Sequence, residues 1–278
     1  DRGSLEMMGN IAKMKVELST PVKYQLPLDD ALLDLNPHIG GRIRLDYRGE
    51  INCVACGRKT SKSYAQGYCY PCFISLAECD MCIVKPETCH FEAGTCRDAE
   101  WAMKHCMQSH FVYLANSSGV KVGITRGSQI PTRWIDQGAS QAVPIFKVAN
   151  RYQSGLLEVA IKQHVSDRTD WRKMLKGDAE PVDLEAMRDQ LAEVCSTRIA
   201  ELQTQFGSDR IEFLPDEPVA GIRYPVEQYP EKIKSLNLDK TPTVEGQLMG
   251  IKGQYLILDT GVINIRKYSG YKLDVDLI

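Results

Sequence analysis

The run CVACGRKTSKSYAQGYCYPC places Cys53, Cys56, Cys69 and Cys72 at the spacing C-x2-C-x12-C-x2-C. Each C-x2-C knuckle turns both of its sulfurs, and some backbone N–H groups, toward one point, and Gly57 and Gly67 permit the turns. The twelve residues between the knuckles are a hairpin's length, so the four thiolates meet as a tetrahedral site of the kind zinc takes. This run constrains the fold more than any other stretch, because a small, core-poor segment of this kind folds only around its ion. The bland alternative, four reduced core thiols, fits this spacing poorly.

A second group follows in CDMCIVKPETCHFEAGTCRDAEWAMKHC. Its candidate ligands outnumber the four positions of a tetrahedral site. The expected set is Cys79, Cys82, Cys96 and Cys106, with Cys89 or His90 as substitutes. Sets of four cysteines also hold iron–sulfur clusters, but these spacings resemble ribbon and knuckle folds and favour zinc. The cofactor expectation is thus about two structural zinc ions with every position filled by protein. Nine of the ten cysteines lie between Cys53 and Cys106, and no secretory h-region is present at the N-terminus. A cytoplasmic, metal-holding protein is therefore expected rather than a disulfide-stapled secreted domain. No apolar run approaches the roughly 18 residues that a membrane span needs.

The fold class expected is α+β. Residues 1–6 read as a vector-derived leader before a start at Met7 or Met8, and residues 7–50 as a β-rich N-terminal segment. A Cys-rich zinc-ribbon-type domain over 51–108 precedes an α/β core over 109–180. In that core FVYLAN, VKVGIT and VPIFKVA read as strands, Ile130–Gln137 as a helix, and Ser154–Val165 as a helix with Leu157, Ala160, Ile161 and His164 on its apolar face. Residues 181–207 read as one amphipathic helix capped by Asp183, with Cys195 close to its apolar stripe. Residues 208–278 return to Gly-punctuated β character. Neither β-rich end has enough apolar surface to stand alone, so the two are expected to pair into one module into which the middle of the chain is inserted.

Charge is unevenly placed. Between Trp101 and Gly177 eleven Lys and Arg face four acids, a local balance of +7 in a chain whose net charge is −2. A basic module inside an acidic chain points to a polyanion. Arg58, Lys59 and Lys62 lie between the first knuckles. DRTDWRKMLKG interleaves Arg168, Arg172, Lys173 and Lys176 with Trp171, cations and a stacking surface suited to nucleic acid.

The stretch HFVYLANSSGVKVGIT, followed by Arg133 in TRWIDQGA and Glu158 in LLEVAI, resembles the GIY-YIG nuclease superfamily over roughly residues 110–170. Tyr113 and Gly123 match the two strand motifs, and Lys121 stands where the second motif has its tyrosine. The whole chain is also similar to an uncharacterised bacterial family that joins such a Cys-rich block to the TRWIDQGA motif. The resemblance implies phosphodiester hydrolysis with Mg2+ or Mn2+ on Glu158. Arg133 would stabilise transition-state charge, Tyr113 would orient or deprotonate the attacking water, and His110, Lys121 or His164 would assist. Lys121, Arg126, Arg168, Trp171, Arg172 and Lys173 are the expected contacts to DNA or RNA. Two alternatives to an endonuclease are a catalytically inactive nucleic-acid-binding protein and a zinc-dependent protein adaptor. Each role has a structural counterpart. Tyr113 and His164 also suit a core, Gly123 relieves strand crowding, and Arg133 has Trp134 and Asp136 beside it.

Overall fold

The computed structural model describes residues 4–278; residues 1–3, the head of the segment read as a leader, lie outside it. In chain order come β1 (Leu5–Asn10), β2 (Lys15–Glu17), β3 (Lys23–Leu28), β4 (Ala31–Asp34), β5 (Arg42–Asn52) and β6 (Lys59–Thr60). Then follow α1 (Tyr70–Ser75), α2 (Met81–Val84), α3 (Ala99–His105), β7 (His110–Asn116), β8 (Val120–Arg126), α4 (Thr132–Asp136), β9 (Gln141–Val148) and α5 (Arg151–Ile161). The chain continues with α6 (Trp171–Met174), α7 (Leu184–Val194), α8 (Ser196–Phe206), β10 (Ile211–Phe213), β11 (Ala220–Gly221), β12 (Thr243–Lys252), β13 (Tyr255–Leu258), β14 (Gly261–Asn264) and β15 (Tyr271–Leu277). The result is a mixed α/β fold with antiparallel sheets. No helix among the described residues is long and apolar enough to cross a membrane.

The chain divides into two compact units. Unit 1 comprises residues up to Ile74, Leu175–Gly177 and Ile222–Ile278. Its main sheet runs β1-β15-β5-β12-β13-β14, with β6 on β5, and a smaller sheet runs β2-β3-β4. The two ends of the sequence thus pair into one module. β15 alternates buried and half-buried residues along its whole length, the period-2 pattern of a strand with one face on a core. Register then does the rest: Ile43 faces Leu277, and Leu45 faces Val275 on one side and Val244 on the other. All five are at most 2% exposed. Leu5 and Glu6, read from sequence as part of the leader, open β1 and pair with Leu277 and Asp276.

Unit 2 comprises Ser75–Met174 and Asp178–Gly221. Its sheet runs β10-β9-β7-β8, with β11 on β9. β7 lies between β8 and β9 and is buried along almost its whole length, as a central strand covered on both faces must be. Val112, Leu114, Ile145 and Phe146 share one core with Leu157 and Ile161 of α5, Leu184 and Leu191 of α7 and Leu202 of α8. The helix expected over 181–207 is two helices. It breaks at Cys195, whose ψ of 10 leaves the helical range and whose N–H bonds back to Leu191 and Glu193 carbonyls. α5 likewise stops earlier than expected, at Ile161, so His164 is exposed and not part of the core. The first four cysteines belong to unit 1 and the second group to unit 2, so the unit boundary falls inside the stretch read as one Cys-rich domain.

Truncating Leu45 to alanine removes a fully buried side chain at the centre of the closing sheet. Urea unfolding should show a loss of about 2–5 kcal/mol; a loss within experimental error would mean that the β5–β15 seam does not hold unit 1 together.

Candidate functional site

In unit 1, β5 runs straight into the first knuckle. The Cys53 N–H bonds to the Arg58 carbonyl at 2.8 Å, and the Gly57 N–H to the Cys53 carbonyl at 2.9 Å. Gly57 adopts φ +75, a left-handed turn that favours glycine. The ligand atoms of Cys53, Cys56, Cys69 and Cys72 all lie within 4.8 Å of one another, and the sulfurs of Cys56 and Cys69 are 3.7 Å apart. A tetrahedron with metal–sulfur bonds of about 2.3 Å has sulfurs about 3.8 Å apart, so the residues fit a metal ion. The electrostatics suit a thiolate. Against the desolvation that burial imposes, backbone N–H groups of Cys56, Cys69 and Ala55 hold the Cys53 thiol down at about 6. Cys72, whose thiol is hydrogen-bonded to that of Cys69, is pushed up to about 12. Unmetallated, Cys53 and Cys72 are thus driven in opposite directions, and a divalent ion removes that conflict.

The loop is anchored within the same unit. Asn52 donates its N–H to the Gly270 carbonyl at 2.8 Å, and Asn10 donates to both Asn52 Oδ1 and the Gly270 carbonyl at 2.8 Å. A Cβ at Gly270, which has φ +89, would meet the Asn52 carbonyl oxygen at 2.5 Å. Glycine is therefore required where the C-terminal chain crosses the start of the metal loop.

In unit 2, Tyr113 of β7 stands directly opposite Gly123 of β8. A Cβ at Gly123 would meet Tyr113 Cζ and Oη at 2.5 Å, so the glycine makes room for the ring. The ring is fully buried, donates its hydroxyl to Gln137 Oε1 at 2.9 Å, and packs edge-on against Trp134 with centroids 5.9 Å apart. Burial raises its pKa, while Arg133 and Gln137 pull the other way. Lys121 is 7% exposed, and burial, then the neighbouring Arg133 cation, push it down to about 8, with Glu158 and Asp167 opposing. Glu158 is raised by burial first and by Asp167 second, and Lys162 and Arg151 oppose. Five chain segments thus place Tyr113 in the field of Arg133 and Glu158, and Lys121 in the field of Arg133, Glu158 and Asp167.

Sequence reasoning missed two members of this cluster, Arg151 and Asp167. Arg151 opens α5 and is lowered by burial, with Glu158 and Arg133 both acting on it. Asp167 follows Ser166, which bridges in parallel to Lys121. Neither carries a local motif that marks it.

The remaining candidates are dispersed. His110 is buried with Nδ1 2.7 Å from the Gln108 carbonyl, and burial pushes its pKa down to about 4. Its neutral ring lies in the field of Arg126 and Arg151. His164 lines an open groove of about 370 Å3 beside Cys195 and Arg198, which Tyr113, Arg133 and Glu158 do not line. Arg168, Arg172 and Lys173 are exposed, and Arg172 covers the Trp171 ring at 4.4 Å. In the second cysteine group, Cys82, Cys89, Cys96 and Cys106 line one cavity with Asp80 and His90, and Cys79 is not among the lining residues.

Residues 40–273 match the profile of DUF2797, described as a protein of unknown function. The chain belongs to that family. The DUF2797 match takes in both cysteine groups and the charged cluster and leaves β1–β4 outside it. No curated protein and no solved structure matches the chain.

Substituting Cys69, a buried member of the four-thiol centre, with serine should release one metal equivalent per chain by elemental analysis. It should also lower the unfolding temperature of unit 1. A Cys69→Ser protein with unchanged metal content would show that these four sulfurs hold no ion.

Proposed function

We propose that the protein binds nucleic acid through the basic face of unit 2, with Lys121 and Arg133 receiving a backbone phosphate. One observation carries this reading. Lys121 is almost wholly buried within the field of Arg133, and neither cation is ion-paired with a carboxylate among the described residues. Desolvating Lys121 beside a like charge costs free energy, and a bound phosphate is the ligand that offsets it. Arg168 and Lys173 are exposed cations in the segment that follows, and the stacked Arg172–Trp171 pair offers a platform for a base. The four-thiol centre holds zinc in a structural role, since protein fills all four positions. Thiolate ligation of that kind fits the reducing cytoplasm.

The resemblance to GIY-YIG nucleases supports a second reading, phosphodiester hydrolysis assisted by Mg2+ or Mn2+. The observation favouring it is that the exposed Asp167 acts on the half-buried Glu158, and both act on Lys121. Such carboxylates supply hard oxygen ligands. The ion would polarise the phosphate, and Arg133 would neutralise charge on its oxygens. Tyr113 would not serve as a base. Its burial favours the neutral phenol, and its hydroxyl is engaged by Gln137 and Arg133. It acts as a positioning residue for the guanidinium.

Fluorescence polarisation with labelled single- and double-stranded DNA and RNA tests the binding reading. Affinity should fall steeply with salt, and Lys121→Met should weaken it about tenfold, which is ~1.4 kcal/mol. Because Lys121 titrates near 8, its charge is present below that pH and lost above it. Wild-type affinity should therefore decline as pH rises through about 8, and the Lys121→Met variant should lack that step. Salt-insensitive binding, or the same pH step in the variant, sinks the proposal. For hydrolysis, Mg2+-dependent cleavage should drop by at least about 100-fold in Glu158→Ala. Absence of cleavage by the wild type, or its survival in the variant, removes this second reading and leaves binding.

A further inference from the structure

Residues 75–109 form a 35-residue stretch of unit 2 in which only Ala77, Pro86, Ala102 and Cys106 are buried. Its α-helices α2 and α3 have four and seven residues, too short to be stable by themselves. Apolar burial on this scale does not fix a chain of that length. What the stretch does enclose is a cavity of about 20 Å3, walled by Cys82, Cys89, Cys96 and Cys106. That is room for about one small ion or water.

We propose that this cavity is a second metal site, in which Cys82, Cys89, Cys96 and Cys106 hold one thiophilic divalent ion of the zinc class. The four thiols come from separate places: α2, the turn after Thr88, the loop before Asp98, and the C-cap of α3. All four line this one small cavity, but their sulfurs are not all within 4.8 Å of one another as those of the first centre are, so the ion would draw them together. Four thiolates and a divalent ion leave two negative charges, and cations are in place to balance them. Arg151 and Arg126 both act on Cys106, and Arg97 lies 3.6 Å from Asp80 on the cavity wall.

A competing ligand set is Asp80, Cys82 and His90, whose ligand atoms lie within 4.8 Å of one another. Two of those three are already engaged. Asp80 Oδ2 lies 2.8 Å from His90 Nε2, Asp80 Oδ1 accepts the Met81 N–H at 2.7 Å, and His90 Nδ1 lies 2.8 Å from Thr95 Oγ1. This network braces the loop carrying Cys89 and Cys96, as outer partners of a metal site do.

The site also has a consequence for α5. The Arg151 N–H bonds to the Cys106 carbonyl at 2.9 Å, and its guanidinium donates to the Ile83 carbonyl. A Cβ at Gly155 would meet the Glu87 nitrogen at 2.6 Å, so the segment between Cys82 and Cys89 lies flat on the helix that carries Glu158. The ion would hold that segment in place.

The test is cobalt loading of the full chain, with Co2+ replacing the native metal and read by elemental analysis and by thiolate-to-cobalt charge-transfer absorption. The wild type should hold two Co2+ per chain, about four thiolates to each. Cys89→Ser should hold one, while Cys79→Ser and His90→Gln should keep two. One Co2+ in the wild type, two in Cys89→Ser, or a loss in Cys79→Ser or His90→Gln overturns the assignment. Should Cys89→Ser fail to fold, X-ray absorption on the zinc-loaded wild type decides. A sulfur-only shell at about 2.3 Å with two zinc per chain supports the site, and one zinc per chain, or nitrogen or oxygen in the shell, contradicts it. None of these outcomes bears on nucleic-acid binding, so this inference and that reading fail separately.

Discussion

Antiparallel pairing of β5 with β15 is the constraint on which the rest of the chain depends. It joins Leu45 to Val275 across 230 positions of sequence. Forming it closes a very long loop, an entropic cost that grows only slowly with length, and the buried faces of β5, β12 and β15 offset it. The same seam fixes the metal loop, because β5 continues into Cys53 and the returning chain crosses it at Gly270. The four-thiol centre therefore sits at the end of a strand that the sheet already holds, which favours metal binding by a partly ordered loop.

Unit 2 is governed by electrostatics in a half-buried setting. Burial pushes Lys121 and Glu158 in opposite directions, toward neutrality in each case. Asp167 adds to the shift on Glu158 and opposes that on Lys121, while Arg133 adds to the shift on Lys121. A cluster held this way is poised to exchange a proton or an ion. His110 belongs to the fold instead. Its folded-state pKa, near 4, is below the unfolded value, so the unfolded chain binds more protons between about 4 and 6.5, and stability declines as pH falls through that window.

How much of this the sequence revealed follows from how local each determinant is. The first knuckle pair was legible because spacing alone brings its four sulfurs together. The strand reading of FVYLAN and VKVGIT was legible from apolar runs around a turn, as was the pairing of two β-rich ends too poor in core to stand alone. The second cysteine group was not, since several ligand sets fit its spacing and the choice depends on how α2 and α3 fold around the cavity. His164 was misread because periodicity continues past Ile161 while the helix does not. Cys195 breaks its helix with no Gly or Pro to announce it. Asp167 and Arg151 join the charged cluster only through the bridge at Lys121 and the placement of α5. The role of Gly123 was half legible: relief of crowding was expected, but the Tyr113 ring that causes it emerges only from the register.

The central claim is that nucleic acid is bound by the cations of unit 2. Hydrogen–deuterium exchange of the full chain, with and without a saturating oligonucleotide, tests it most directly. Added protection is predicted across residues 120–136 and 151–173, where Lys121, Arg126, Arg133 and the Arg168–Lys173 segment lie. Protection confined to residues 53–72, or none while the oligonucleotide is bound, would contradict the account.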